Sequence, residues 1–456
     1  MNREIFGGRK VLIMGLGRFG GGVDAAKFAC KAGAKITVTD LASADKLSAS
    51  INQLADFSDI EFHLGSHEIN DFQQADIIIV NPAVLPDSEF LKIARRHNKL
   101  ITSQINIFFE LCPATIIGVT GANGKSTTAV LTAHLLKNAR DENVWLSGNI
   151  GNEPLLGLID QIKPDDLAVL EISSFQLEQL AQIKKAPNVA LLTNLTPNHL
   201  DHHGTFENYC AAKENIFKFQ ELNAKEPAVS IFNAEDKIGC EWFEKYKNQT
   251  GRVCIQFSTN DVSEEIRKQF TLPGQANLSN LAAAIAIAKY FGVDDEQIKN
   301  YLPGFKALPH RLELVAEING VRWYNDSIAT TPASAIAALE AFEQPKIIIA
   351  GGYDKNLPFD ELGEKIAQRT KAAILMGQTS EKIADAIGKK LATEDTEKKI
   401  KIGVVNSLAE AVELARRLAV NGDIVLLSPG CASYDMFDNF QHRGHEFVKL
   451  VQQLEK

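Results

Sequence analysis

Short apolar runs alternate with helix-period segments along almost the whole chain. VLIMG at 11–15, KITVTD at 35–40, DIIIV at 76–80, TIIGVTG at 115–121, LAVLEIS at 167–173 and NVALLTN at 188–194 are predicted strands. The alternation resumes with VRWYND at 321–326, KIIIAGG at 346–352, AAILMG at 372–377, IKIGVV at 400–405 and DIVLLSPG at 423–430. Apolar strands interleaved with helices specify an α/β fold of parallel sheets covered by helices. Three such domains in series are expected, at 1–105, 106–305 and 306–456. The first break is read near Thr102–Pro113, and the second near Leu302–Pro309, where LPGFKALP collects two prolines and a glycine.

Two of these strands run into glycine-rich turns. After the first comes GLGRFG, whose Gly15, Gly17 and Gly20 fit GxGxxG, and the next strand ends in Asp40 about 20 residues later. Backbone amides and a helix N-terminus would meet there on an anionic diphosphate, with the acid reaching a ribose or base edge. The turn alone fits NAD(P), another nucleotide or nucleotide-sugar, or a purely structural bend.

The second turn is more specific. A strand ends at Thr120, Gly121-Ala122-Asn123-Gly124 forms a loop, and Lys125-Ser126-Thr127 open a helix. Such a loop points amides at phosphate oxygens, Lys125 adds a charge at the terminal phosphates, and Ser126 or Thr127 offers a hydroxyl to Mg²⁺. Val119 stands where the full GxxxxGK[ST] pattern has its first glycine, so this is a variant ATP-binding loop.

Glu171 ends the strand LAVLE, the place of an acid that meets Mg²⁺, or of a solvated strand-end carboxylate. His199 follows the next strand and could share the same crevice or be structural. In FENYCAAKENIF, Phe206, Tyr209, Lys213, Ile216 and Phe217 step by three or four, which puts a lysine on the apolar face of a helix. Spacing alone favours a snorkelling Lys213 over a buried neutral amine able to take up CO₂ as a carbamate.

Composition narrows the classes. The 456 residues are 45% hydrophobic and 23% charged, with 31 Gly and 15 Pro, which excludes collagen-like, low-complexity and fully disordered chains. A net charge of −9 argues against nucleic-acid or anionic-membrane partners. No run reaches the roughly 18 to 20 apolar residues of a membrane helix, and the start lacks a secretory pattern, so a cytoplasmic protein is expected. The six scattered cysteines include no CxxC pair and no zinc spacing.

TGANGKSTT, EISSFQLE, NLTPNHLDHHGTFENYCAAKENIF, LPHRLELVAEINGVRWYNDSIATTPASAIAALEAF, AGGYDKNLPFDEL and LLSPGCASYDMFDNFQHRGHEF together resemble the Mur ligase family, in particular its D-glutamate-adding branch. The resemblance covers nearly the whole chain. It implies an N-terminal Rossmann-like domain for a UDP-sugar, a central P-loop ATPase domain with a mostly parallel sheet, and a C-terminal Rossmann-like domain carrying the amino acid. By motif, Gly15, Leu16, Gly17, Arg18, Phe19, Gly20 and Asp40 would hold the UDP moiety.

The same resemblance puts Asn149 near the reacting carboxylate and makes Ser126, Glu171, His199 and a carbamylated Lys213 the Mg²⁺ ligands, with two Mg²⁺ sites. Asn277 and Asn280 would lie on the adenine side, with Arg311 and Asp326 contacting the nucleotide. Thr330, Lys355, Ser433 and Phe440 would form the D-glutamate pocket. The implied partners are small molecules, UDP-N-acetylmuramoyl-L-alanine and D-glutamate, and a monomer is expected. The chain departs from the family pattern at Ile328, where a basic residue is expected, at Ala276 in PGQAN, and at Leu41-Ala42, where a basic residue often follows the acid. Rival readings are a sibling or folate-type ligase for another amino acid, a nucleotide-binding regulatory or redox protein, and a non-catalytic UDP-sugar scaffold.

Overall fold

The computed structural model describes residues 2–150, 154–393 and 400–454. Three sheets follow one another along the chain. The first holds β1 (Lys10–Met14), β2 (Lys35–Asp40), β3 (Ile60–Leu64), β4 (Ile77–Val80) and β5 (Leu100–Thr102) in the order β3-β2-β1-β4-β5. The second holds β6 (Thr115–Thr120), β7 (Val144–Gly148), β8 (Leu167–Glu171), β9 (Val189–Leu192), β10 (Ala228–Asn233) and β11 (Arg252–Phe257) in the order β11-β10-β9-β6-β8-β7. Every pairing in these two sheets is parallel.

The third sheet, β12 (Glu313–Ile318), β13 (Val321–Asn325), β14 (Lys346–Ala350), β15 (Ala372–Leu375), β16 (Lys401–Val404) and β17 (Ile424–Leu427), has the order β12-β13-β17-β14-β15-β16. It corrects the expectation of parallel sheets throughout, because β12 pairs antiparallel with β13. The two strands are joined by Asn319 and Gly320, both with positive φ, a two-residue turn that returns the chain beside itself instead of crossing over.

All eleven strands read from apolar runs are present. The six others are those whose pattern is not a continuous apolar run. β3, β7, β11 and β12 carry exposed or half-exposed positions, β5 has three residues, and Ser230 interrupts the wholly buried β10.

By contacts the chain divides into two bodies. One comprises residues 1–267 and 279–302 with the first two sheets, and the other comprises 268–278 and 303–456 with the third. In the first body a continuous apolar core runs from Phe6, Val11 and Val38 through Ile105 and Phe108 to Leu170, Leu192 and Phe217. In the second, separate cores cover the two faces of the sheet, around Ile348 and Leu426 on one side and Trp323 and Phe447 on the other.

The two sheets of the first body are also tied by a buried acid. Asp24, on α1 (Gly21–Lys31), accepts hydrogen bonds from the Leu156 and Gly157 amides at 2.7 and 3.0 Å and from Gln104 Nε2 at 2.5 Å. Burial pushes its pKa up, against those donors. Asp24→Ala leaves the two amides without their acceptor and is expected to cost ~2–4 kcal/mol in urea unfolding of the first body; a loss under ~0.5 kcal/mol would contradict this role.

Candidate active site

The centre of the second sheet brings the candidate residues together. β6 has β8 on one side and β9 on the other, so the turn after β6 lies between the ends of those two strands. Gly121 (φ 149°) needs its glycine, because a Cβ there would stand 1.9 Å from Thr193 Oγ1. Gly124 (φ 82°) caps α2 (Lys125–Ala139), and its Cβ would stand 2.0 Å from Asn280 Oδ1. Asn280 also accepts from Thr128 Oγ1 at 3.4 Å.

The loop is held from the β9 side. Asn123 donates its amide to Asn194 Oδ1 at 3.0 Å, and its carbonyl accepts from Thr193 Oγ1 and Asn194 Nδ2. The Ala122 amide bonds the Asn194 carbonyl, and Lys125 Nζ donates to the Ala122 carbonyl at 2.9 Å. Ser126 is half-buried, whereas Thr127 is buried, which leaves Ser126 as the better-placed hydroxyl for a ligand. Sequence reading missed Thr193 and Asn194, although both close the run NVALLTN that marks the strand.

Lys213 lies on α4 (Phe206–Lys218), and the earlier helix α3 (Ser174–Ile183) packs beside it. The lysine is 1% exposed, and its Nζ donates to Thr120 Oγ1 at 3.2 Å. It does not snorkel. Burial, reinforced by the Lys125 charge and opposed by Glu171, lowers its pKa well below the ordinary lysine value.

Glu171 is buried at the end of β8. Its Oε1 accepts from Asn149 Nδ2 at 3.0 Å, and the Glu171 carbonyl accepts the Asn149 amide at 2.9 Å. Its Oε2 is buried and has no hydrogen-bond partner among the described residues. His199 sits in a left-handed conformation (φ 53°) at the head of a four-residue helix. Burial first, then Lys125 and Lys213, lowers its pKa, so a neutral imidazole with a free lone pair is available at pH 7. The orphaned carboxylate oxygen and the hydroxyl are oxygen donors that fit a hard divalent cation, with the His199 imidazole as a single nitrogen donor beside them.

In the first sheet, Gly15, Gly17 and Gly20 all have positive φ, and Gly20 caps α1 as Gly124 caps α2. A crevice lined by Gly15, Gly21, Asn81, Pro82 and Gln104 opens between β1 and β4, where the strand order reverses. Asp40 is engaged with the loop itself, accepting from the Gly17 amide at 3.1 Å and the Ala42 amide at 2.8 Å. The Leu16 side chain is fully buried, so a ligand could meet that residue through its backbone. Arg18 and Phe19 are exposed at the turn. Asn81, unread in the sequence, donates to the Gly15 carbonyl at 3.3 Å. Gly22 is also missed: a Cβ there would stand 2.3 Å from the Leu16 carbonyl oxygen.

In the second body, adjacency of β13, β17 and β14 gathers another group. Asp326 accepts from Ser428 Oγ at 2.8 Å and the Leu312 amide at 3.2 Å, and burial pushes its pKa up to about 7 against the nearby Arg311 charge. Arg443, absent from the sequence reading, is 1% exposed and bonds Ser327 Oγ, the Ser327 carbonyl and the Cys431 carbonyl. It thereby clamps the loop bearing Ser433 to the one bearing Asp326. Ser433 is buried, Thr330 and Phe440 are half-buried, and Phe440's carbonyl accepts from Ser327 Oγ at 2.8 Å. Lys355 is exposed, its Nζ 5.8 Å from the centre of the Tyr434 ring. Asn277 donates Nδ2 to the Pro273 carbonyl at 2.8 Å. At the departure position, the Ile328 amide donates to the His310 carbonyl at 3.1 Å.

Three family models match the chain in order: the Mur ligase MurD-like N-terminal domain over 9–103, the Mur ligase middle domain over 119–272 and the Mur ligase glutamate ligase domain over 310–431. A UDP-N-acetylmuramoylalanine--D-glutamate ligase of Roseiflexus sp. (strain RS-1) is 40% identical, the match covering 98% of each chain. The chain belongs to the Mur ligase family. A ligase of the same name from Acetivibrio thermocellus is 39% identical over 98% of this chain and 97% of its own. The Mur ligase fold is matched by the structure of MurF ligase from Thermotoga maritima in complex with ADP, with a TM-score of 0.57 at 18% identity over 99% of this chain and 97% of that one.

Lys213 gives this Mur ligase a measurable signature. Between its depressed folded-state pKa and the ordinary lysine value, the unfolded chain binds a proton that the folded chain excludes. This residue therefore makes stability rise with pH across that window, by up to ~1.4 kcal/mol per pH unit. In CO₂-free buffer, Lys213→Met is expected to remove that slope and to be ~1–4 kcal/mol more stable at pH 7 in chemical denaturation. A variant less stable than wild type, with the slope intact, would contradict a buried, neutral amine.

Proposed function

We propose that the chain is the ATP-dependent ligase that joins D-glutamate to UDP-N-acetylmuramoyl-L-alanine, as the names of its full-length relatives suggest. The observation that carries this reading is the cluster around the Gly121–Lys125 turn, where Lys213 Nζ bonds Thr120 and the buried Glu171 holds Asn149. We propose domains at 1–105, 106–305 and 306–456 for the UDP-substrate, ATP and amino acid respectively. Gly15 to Gly20 would receive the diphosphate on backbone amides, with Asp40 setting the shape of that loop.

The turn amides and Lys125 would bind the ATP phosphates. The substrate carboxylate attacks the γ-phosphate to give an acyl phosphate and ADP, and the D-glutamate amine then displaces phosphate, forming the amide and releasing a proton. The reactants are mutually repelling anions, so alignment and charge neutralisation supply most of the acceleration. Ser126, Glu171, His199 and Lys213, the last as a carbamate, would hold Mg²⁺ in up to two sites. When bound, Mg²⁺ neutralises phosphate charge.

Neutral Lys213 beside Glu171 suits carbamate formation, since the amine needs a free lone pair to take up CO₂. Asn149, fixed by Glu171, would orient the acceptor carboxylate. Arg311 and Asp326 would contact the nucleotide, with Asn277 and Asn280 on its adenine side. Thr330, Lys355, Ser433 and Phe440 would receive D-glutamate, with Lys355 pairing a carboxylate. An enzyme drawing on ATP and a UDP-sugar would work in the cytoplasm. No helix among the described residues is long and apolar enough to cross a membrane.

Phosphate release with Mg·ATP and UDP-N-acetylmuramoyl-L-alanine is expected with D-Glu and not with L-Glu, L-Ala, L-Lys or meso-diaminopimelate, with the product mass raised accordingly. Lys355→Ala should raise KM for D-Glu at least ~10-fold while sparing KM for ATP. Turnover with another amino acid would overturn the pocket assignment, and silence across the panel would overturn the ligase reading.

A further inference from the structure

A second cluster of metal-binding side chains lies beside this centre, within the same body. Glu178 projects from α3, and His202 and His203 belong to the four-residue helix Leu200–His203. His202 Nε2 is 2.9 Å from one Glu178 oxygen, and His203 Nδ1 is 3.2 Å from the other. The three ligand atoms all lie within 4.8 Å of one another. None of the three residues has a part in the ligase chemistry derived above.

The second histidine is what makes this more than an ion pair. His203 Nε2 is 3.0 Å from Ser174 Oγ, which the ring can satisfy by donating its N–H. That tautomer leaves a lone pair on Nδ1, aimed at a carboxylate oxygen that is also an acceptor. Nδ1 is buried and has no hydrogen-bond partner among the described residues, although Glu178 is so close. Two acceptors facing each other repel unless a proton or a metal cation lies between them, and the 3.2 Å approach suits either. The His203 side chain is 1% exposed, so water screens that repulsion poorly.

The donor set selects the ion. Two imidazoles and one carboxylate suit Zn²⁺ or Co²⁺, whereas Mg²⁺ prefers an all-oxygen shell. Bonds of 2.0–2.1 Å in a tetrahedron separate ligand atoms by roughly 3.3 Å, close to the spacings found here. A hydrogen bond accepted from the far nitrogen of a ligating histidine fixes its tautomer, and Ser174 Oγ is in the place to accept it. Phe175 walls the site, its ring centre 4.4 Å from His202 and 5.5 Å from His203. Glu178 keeps partial access to solvent, which leaves a position for water.

We propose that Glu178, His202 and His203 bind a transition-metal ion of the Zn²⁺/Co²⁺ class at a site separate from the Mg²⁺ position at Glu171, His199 and Lys213. The ion would fasten the helix Leu200–His203 to α3. His199 heads that helix, so the site bears on a catalytic residue without sharing a ligand with it.

The test uses the full chain, stripped with chelator and returned to excess Mg²⁺, then titrated with Co²⁺ while visible d–d absorption is recorded. One equivalent should give the bands of a four- or five-coordinate nitrogen–oxygen site with no thiolate charge-transfer band, and Zn²⁺ should displace it. Glu178→Gln, which preserves size and hydrogen bonding, and His202→Ala should each weaken Co²⁺ binding by at least tenfold. Ser174→Ala should weaken it by about 10–100-fold. No Co²⁺ uptake under excess Mg²⁺, or bands and affinity unchanged in both Glu178→Gln and His202→Ala, would overturn the site.

Discussion

The central sheet is organised around a lysine amine that water does not reach. Lys213 reaches from α4 to the last residue of β6, where Thr120 Oγ1 accepts from it and itself donates to the Ile172 carbonyl at 2.7 Å. A charged amine in that position would be costly, and the nearby Lys125 raises the cost. The fold meets this by lowering the amine's pKa well below the ordinary lysine value, with the Glu171 carboxylate opposing that shift. The same strand end turns directly into the Gly121–Gly124 loop. The loop, the acid and the buried amine are therefore set by one stretch of backbone, and a shift of β6 would move all three together.

The two glycine-rich turns solve one geometric problem twice. Each ends a parallel strand and enters a helix through a glycine in the left-handed region, Gly20 in one and Gly124 in the other. What differs is the support. The first loop is held by the strand-end acid Asp40 and by Asn81, and it carries no lysine. The second is held by Thr193 and Asn194 from β9, which leaves Lys125 at the helix start.

Much of this was legible in the sequence, for physical reasons that can be named. Apolar runs marked eleven strands, most of them because parallel strands buried on both faces cannot be polar, and the edge strand β16 through Ile402 and Val404 although both are exposed. β12 escaped because none of its positions is fully buried, and its antiparallel pairing lies outside the crossover rule that runs of this kind suggest. The Gly-Lys-Ser-Thr turn announced itself by composition. Lys213 did not: helical spacing put it on an apolar face, but only tertiary packing decides whether a lysine tip reaches water. Arg443 and Asp24 were invisible for the converse reason, since each is a charge buried by long-range partners that no local pattern encodes.

The most direct test of the account is ¹³C NMR of the enzyme equilibrated with ¹³C-bicarbonate at neutral pH. A neutral amine beside Glu171 predicts a single protein-bound carbamate resonance that disappears in Lys213→Met. An identical spectrum from wild type and Lys213→Met, with or without such a resonance, would contradict the claim that Lys213 is the reactive amine at this centre.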